Sequence, residues 1–112
     1  MPKYLLAYHG SRIPNPANEQ TELTRAWNAW MEGLGDALEG SNNPMNITKT
    51  IGADGSVSDG GGANPVVGLS FITANDMDAA IKLAKTCPHL TAGGSIEVAE
   101  LPPRSAAHEA PK

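Results

Sequence analysis

Only one cysteine, Cys87, occurs in the sequence, so neither an internal disulfide nor a cysteine-based zinc site can form within one chain. Basic blocks are missing too. The eight Lys and Arg residues are scattered from Lys3 to Lys112 and are outnumbered by twelve Asp and Glu, giving a formal charge of −4. Nucleic-acid binders rely on clustered cations to contact phosphates, and anionic membrane surfaces are bound in the same way. Neither nucleic acid nor membrane is therefore expected as a partner. Long apolar runs are also absent. The opening stretch from Met1 to His9 is too short in its apolar run for a signal peptide. Nothing approaches the roughly 18 apolar residues of a transmembrane helix. These absences lead us to expect a reduced, soluble, cytoplasmic protein.

What is present is globular in kind. The 112 residues are 40% hydrophobic and 18% charged, which suits one domain and not a disordered chain. A domain of this size buries a modest share of its surface, so a partner subunit would add stability.

Lys3 to His9 reads as a strand with apolar side chains on both faces, ended by Gly10-Ser11. Pro14-Asn15-Pro16 interrupts the chain, with Asn15 as N-cap and Pro16 at the first helical position. Leu23, Trp27, Trp30, Met31, Leu34 and Leu38 recur at helical spacing, and Gly40 is the expected stop. Gly33 and Gly35 weaken the last turns by about 1 kcal/mol each against Ala. Ile47 to Ile51 reads as a second strand, and Gly52 to Pro65 as a long loop. Val66 to Thr73 is the clearest strand, in which Gly68 and Ser70 leave room for close packing. Asn75 is expected to cap a second helix that Pro88 closes. Ser95 to Leu101 forms a last strand. The domain is placed at 1–103, with 104–112 as a disordered tail. The order β-α-β-β-α-β predicts an α+β, ferredoxin-like fold, with a four-stranded antiparallel sheet and both helices on one face. The other face is apolar enough to predict a sheet-on-sheet homodimer.

Several stretches together resemble the YCII-related (DGPF-type) family. They are Lys3-Tyr4-Leu5-Leu6-Ala7-Tyr8, the helix with Trp27 and Trp30, and Asp59-Gly60 ahead of a strand. Ala84-Lys85-Thr86-Cys87-Pro88-His89-Leu90 and Gly93-Gly94-Ser95-Ile96-Glu97-Val98 complete the set, which spans residues 3 to 101. The resemblance implies a dimeric α+β barrel of ferredoxin-like subunits with a cleft near the sheet. Some members are proposed to be enzymes acting through a His–Asp pair, with the histidine on the first helix and the aspartate just before the proline that ends the second. Here the first helix has no histidine and Cys87 precedes Pro88, so that pair is absent. The family's Asp-Gly-Pro-Phe reads Asp59-Gly60-Gly61-Gly62.

Candidate chemistry centres on His9, at the end of the first strand, since an imidazole is the side-chain type suited to serve as a general base at neutral pH. Asp59 is its candidate partner, and is equally a turn residue. Tyr8, Ser11, Arg12 and Trp27 are the candidate ligand-binding residues around them. Trp27 and Trp30 also suit core or dimer packing. The glycine run 60–62 lacks the Lys-Ser/Thr and the following helix of a phosphate loop. His9, His89, Asp59 and Glu97 have no metal-ligand spacing, so neither metal nor cofactor is expected. Cys87 reads as a buried structural thiol. Three functions stay open: a dimeric binding module for a small molecule, a lyase- or isomerase-type enzyme using His9 and Asp59, and a structural or regulatory dimer.

Overall fold

A computed structural model of the chain describes residues 1–10, 13 and 21–103. The expected Asn15–Pro16 helix start, Ser11, Arg12 and the tail 104–112 lie outside the described residues. The elements are β1 (Lys3–His9), α1 (Glu22–Leu34), a 3₁₀ turn (Gly35–Ala37), β2 (Leu38–Pro44), β3 (Lys49–Ile51), β4 (Val57–Asp59), β5 (Val66–Thr73), α2 (Met77–Lys85), α3 (Pro88–Thr91) and β6 (Ser95–Leu101). The main sheet is antiparallel throughout, in the order β2-β5-β1-β6. The strands β3 and β4 form a separate two-stranded ribbon. The fold is therefore α+β, built on an antiparallel sheet.

Period-two alternation sorts the strands into two faces. Tyr4, Leu6 and Tyr8 of β1 are buried, as are Gly68, Ser70 and Ile72 of β5. They meet Trp27, Trp30 and Leu34 of α1 and Ala80 and Ala84 of α2 in one core. Trp27 stands edge-on to Tyr8 at 5.1 Å and to Trp30 at 5.6 Å between ring centroids, the geometry that the ring quadrupoles favour. The Trp30 indole donates to Thr86 Oγ1 at 2.9 Å, tying α1 to the end of α2. The expected room beside Gly68 is filled by Ile13: a Cβ on Gly68 would lie 2.4 Å from its Cδ1.

Five local expectations are corrected, the last two at either end of α2. First, α1 ends at Leu34 and not near Leu38. Gly35 takes φ +55 and its N–H bonds back to Met31 and Glu32 carbonyls, a backbone state that side chains resist. Released from the helix, Leu38 pairs with Ile72 and opens β2. Second, the sheet strand that follows is therefore Leu38–Pro44, and Ile47 to Ile51 contributes to the ribbon. Third, the stretch Gly52 to Pro65 is not all loop. Asp54-Gly55 makes a tight turn, with Gly52 N–H on Ser56 O at 2.8 Å and Gly55 N–H on Gly52 O at 2.9 Å, and β4 follows it. Hydrogen bonds from Ser56 hold the Asp54 carboxyl below its usual range. Fourth, α2 is capped by Asp76, not Asn75; its carboxylate accepts from Ala79 N–H at 2.9 Å. Pro88 does not close α2 but opens α3 at a position where no N–H is needed.

Candidate functional site

His9 ends β1 on the face away from the helices. The register sets Ala7 opposite Glu97 and His9 opposite Ser95, so His9 and Glu97 are diagonal neighbours on that open face. Their side chains meet at 3.3 Å between His9 Nε2 and Glu97 Oε1. His9 Nδ1 lies 3.1 Å from the Asn64 carbonyl. A carbonyl only accepts, so Nδ1 carries a hydrogen, and Nε2 then faces a second acceptor. Both contacts are satisfied together only when a proton sits between the ring and the carboxylate. The His9 side chain is 15% exposed and that of Glu97 72%, so the ring is held while the carboxylate meets solvent.

The expected partner of His9 is elsewhere. Asp59 lies on β4, where its carboxylate takes the Lys49 ammonium across the ribbon. The structure thus brings His9 to Glu97 and Asp59 to Lys49. Tyr8 and Trp27, expected to line a cleft, are buried in the core instead. The cause is the strand period: Tyr8 precedes His9 by one residue and must point to the helix side. The Tyr8 hydroxyl donates to Ser70 Oγ at 2.7 Å, which donates in turn to Asn42 Oδ1 at 2.5 Å. Burial pushes the Tyr8 hydroxyl pKa well above its ordinary value, against the opposing effect of Ser70.

Behind His9 stands a residue whose role the sequence did not disclose. His89 on α3 is 1% exposed, and its Nε2–H donates to the His9 carbonyl at 2.8 Å. Its ring packs on Tyr8 at 5.5 Å. It lies so close to the chain ahead of β6 that a Cβ on Gly94 would come within 2.1 Å of Nε2. The signal was the Gly93-Gly94 pair, whose second glycine leaves the volume that the imidazole fills. Cys87 stands at the N-cap position of α3 and is buried; burial pushes its thiol pKa up to about 12, against the opposing effect of the nearby His89 N–H.

His9 and Glu97 are thus paired with each other, His89 is bonded to the His9 carbonyl, and Asp59 is paired with Lys49 on the ribbon. Among the described residues no cluster of three or more His, Cys, Asp or Glu could hold a metal ion. Among the described residues no helix is long and apolar enough to cross a membrane. A cleft of about 820 Å³ lies at the opposite end of β1 from His9. Phe71, Leu101, Pro102 and Pro103 give it apolar walls, and Lys3 and Glu100 bring charge to it. Compared with known proteins, the chain matches no family model and no curated protein.

Proposed function

We propose that this chain works as a homodimer of ferredoxin-like subunits, stacked through the open face of the sheet, and that it holds a small molecule in the cleft at the foot of that face. One observation carries the reading. Leu5, Ala7, Leu69, Phe71, Ala99 and Leu101 share the face that no helix among the described residues covers, and all are part-exposed there. A contiguous apolar sheet face of this kind marks an interaction surface. Its charged groups stand around it, as Lys3 with Glu39 at 3.0 Å and His9 with Glu97, which suits the polar rim of an interface.

The spatial order β2-β5-β1-β6, with α1 after β1 and α2 after β5, supports the ferredoxin-like reading. With the sequence resemblance, it also supports a place for this chain among divergent members of the YCII-related family. The cleft suits a ligand with an apolar or aromatic body, received by Phe71 and Leu101.

Sedimentation equilibrium tests the dimer: a mass of twice 11.6 kDa is expected at micromolar concentration, and Leu69→Glu should return the monomer. Thermal unfolding against a panel of small aromatic acids and amines tests the cleft. At least one compound should raise the melting temperature of the wild type and not of Leu101→Asp. A wild type that stays monomeric, or a panel without effect, overturns the corresponding half.

A second reading has its own observation, the His9–Glu97 contact with Nδ1 anchored on Asn64. Such a pair can take a proton from a carbon acid, with Glu97 in the place first sought for Asp59. Uptake of deuterium from D₂O at carbon in a bound compound would reveal it. The uptake should vanish in both His9→Gln and Glu97→Gln; no uptake by the wild type sinks the catalytic reading.

A further inference from the structure

We propose that the β3–β4 ribbon is a clasping arm that lays Ile47, Ile51 and Val57 on a second copy of this chain. The inference rests on the dimer reading above and extends it to a second contact.

Among the described residues five large apolar side chains stand exposed, and three of them belong to this ribbon and its approach. They are Ile47 at 80%, Ile51 at 71% and Val57 at 64%. Ile51 lies directly opposite Val57, and the next rung on the same face is Lys49 with Asp59. That face therefore presents an apolar pair beside a closed ion pair, which is chemistry suited to a covered surface with a polar margin. Among the described residues the ribbon has no extensive packing on any other element. An isolated two-stranded hairpin is at best marginally stable in water, so this one gains most from a surface outside its own subunit.

The size of the sheet face argues for the same occupant. Four strands spaced about 4.8 Å apart and about seven residues long give a footprint of roughly 19 by 23 Å, or about 440 Å². A stable interface buries about 800 Å² of accessible surface per partner, and a contact beside the sheet adds to what this footprint supplies. The arm leaves the sheet where Gly10 N–H bonds Pro65 O and Gly60 N–H bonds Thr48 O, next to the end of β1. It is thus continuous with the proposed interface. In a two-fold dimer each arm contact is made twice, so three apolar side chains per chain count double.

The test compares dissociation constants by sedimentation equilibrium for the wild type, the arm variant Ile51→Asp/Val57→Asp, and the sheet variant Leu69→Glu. The arm variant should weaken the dimer by roughly thirtyfold, with unchanged far-ultraviolet circular dichroism. A constant within about threefold of the wild type overturns the arm while the dimer stands. A wild type still monomeric at roughly 200 μM overturns the dimer reading itself and the arm with it. Amide exchange on the wild type supplies a second measure that needs no variant. Exchange between residues 49 and 59 should slow as concentration crosses the dissociation constant. Slowing confined to β1, β5 and β6 would leave the sheet interface alone, and the arm proposal would fail.

Discussion

Replacing Gly94 by alanine offers the sharpest test of how this core is assembled. The added Cβ would lie 2.1 Å from His89 Nε2, 2.3 Å from Cε1 and 2.6 Å from Cδ2. No heavy atom tolerates such distances, so the imidazole or the strand must shift. The imidazole has nowhere to go, since it is buried against Tyr8 and Trp27. Overpacking of this kind costs about 1–3 kcal/mol. A displaced ring also loses its bond to the His9 carbonyl, and buried groups left unpaired cost about 1–3 kcal/mol more. The expected loss is roughly 2–6 kcal/mol, out of the about 5–15 kcal/mol that holds a small domain together. Urea denaturation followed by tryptophan fluorescence, at one fixed protein concentration, measures it. The double variant Gly94→Ala/His89→Ala isolates the cause: relief of the clash should make it more stable than the sum of the single changes by roughly 1–3 kcal/mol. Gly93→Ala is the contrast. Its φ of +95 makes any side chain costly by about 1–2 kcal/mol through the backbone alone, and removing His89 should not rescue it. A Gly94→Ala protein within about 0.5 kcal/mol of the wild type, or an additive double variant, would refute the placement of His89.

Other outcomes follow from the same structure. Cys87 keeps its proton when folded up to about pH 12, whereas the unfolded thiol loses it near its ordinary value of 9.0. The Cys87 contribution to stability should therefore be constant below pH 9 and fall between pH 9 and 12, with Tyr8 adding to the loss in the same direction; a Cys87→Ala protein should show a shallower fall in alkaline melts. The same thiol should react with a disulfide reagent only at the rate of unfolding, and rapid labelling of the native protein would contradict its burial. Asp76→Ala should cost about 1 kcal/mol by removing the cap on Ala79, and Asn75→Ala much less, as read from paired urea melts. Tyr8→Phe should cost about 0.5–1.5 kcal/mol, for the loss of one buried bond in the Tyr8–Ser70–Asn42 series; a neutral result would mean that the series does not hold β5 to its neighbours.

Local periodicity determined much of this protein from the sequence alone. Three of the four long strands, β1, β5 and β6, the tryptophan-bearing helix and the second helix were legible, because alternation and helical spacing are properties of a few consecutive residues. The close approach over Gly68 and Ser70 was legible too, since only small side chains leave such room. Tertiary structure decided what depends on pairing across distance. Gly35 could have been one more weak helical glycine; its positive φ, and the chance for Leu38 to lie beside Ile72, turned the chain into β2 instead. Asp54-Gly55 was hidden among other Gly and Asp residues until β3 and β4 paired around it. The partner of His9 was settled by the antiparallel register of β1 and β6. That register brings Glu97, 88 residues away, onto the same face, while Asp59 is carried off on the ribbon to Lys49. A single sequence records which side chains alternate, but the register that places one strand against another is fixed only when the whole sheet closes over its core.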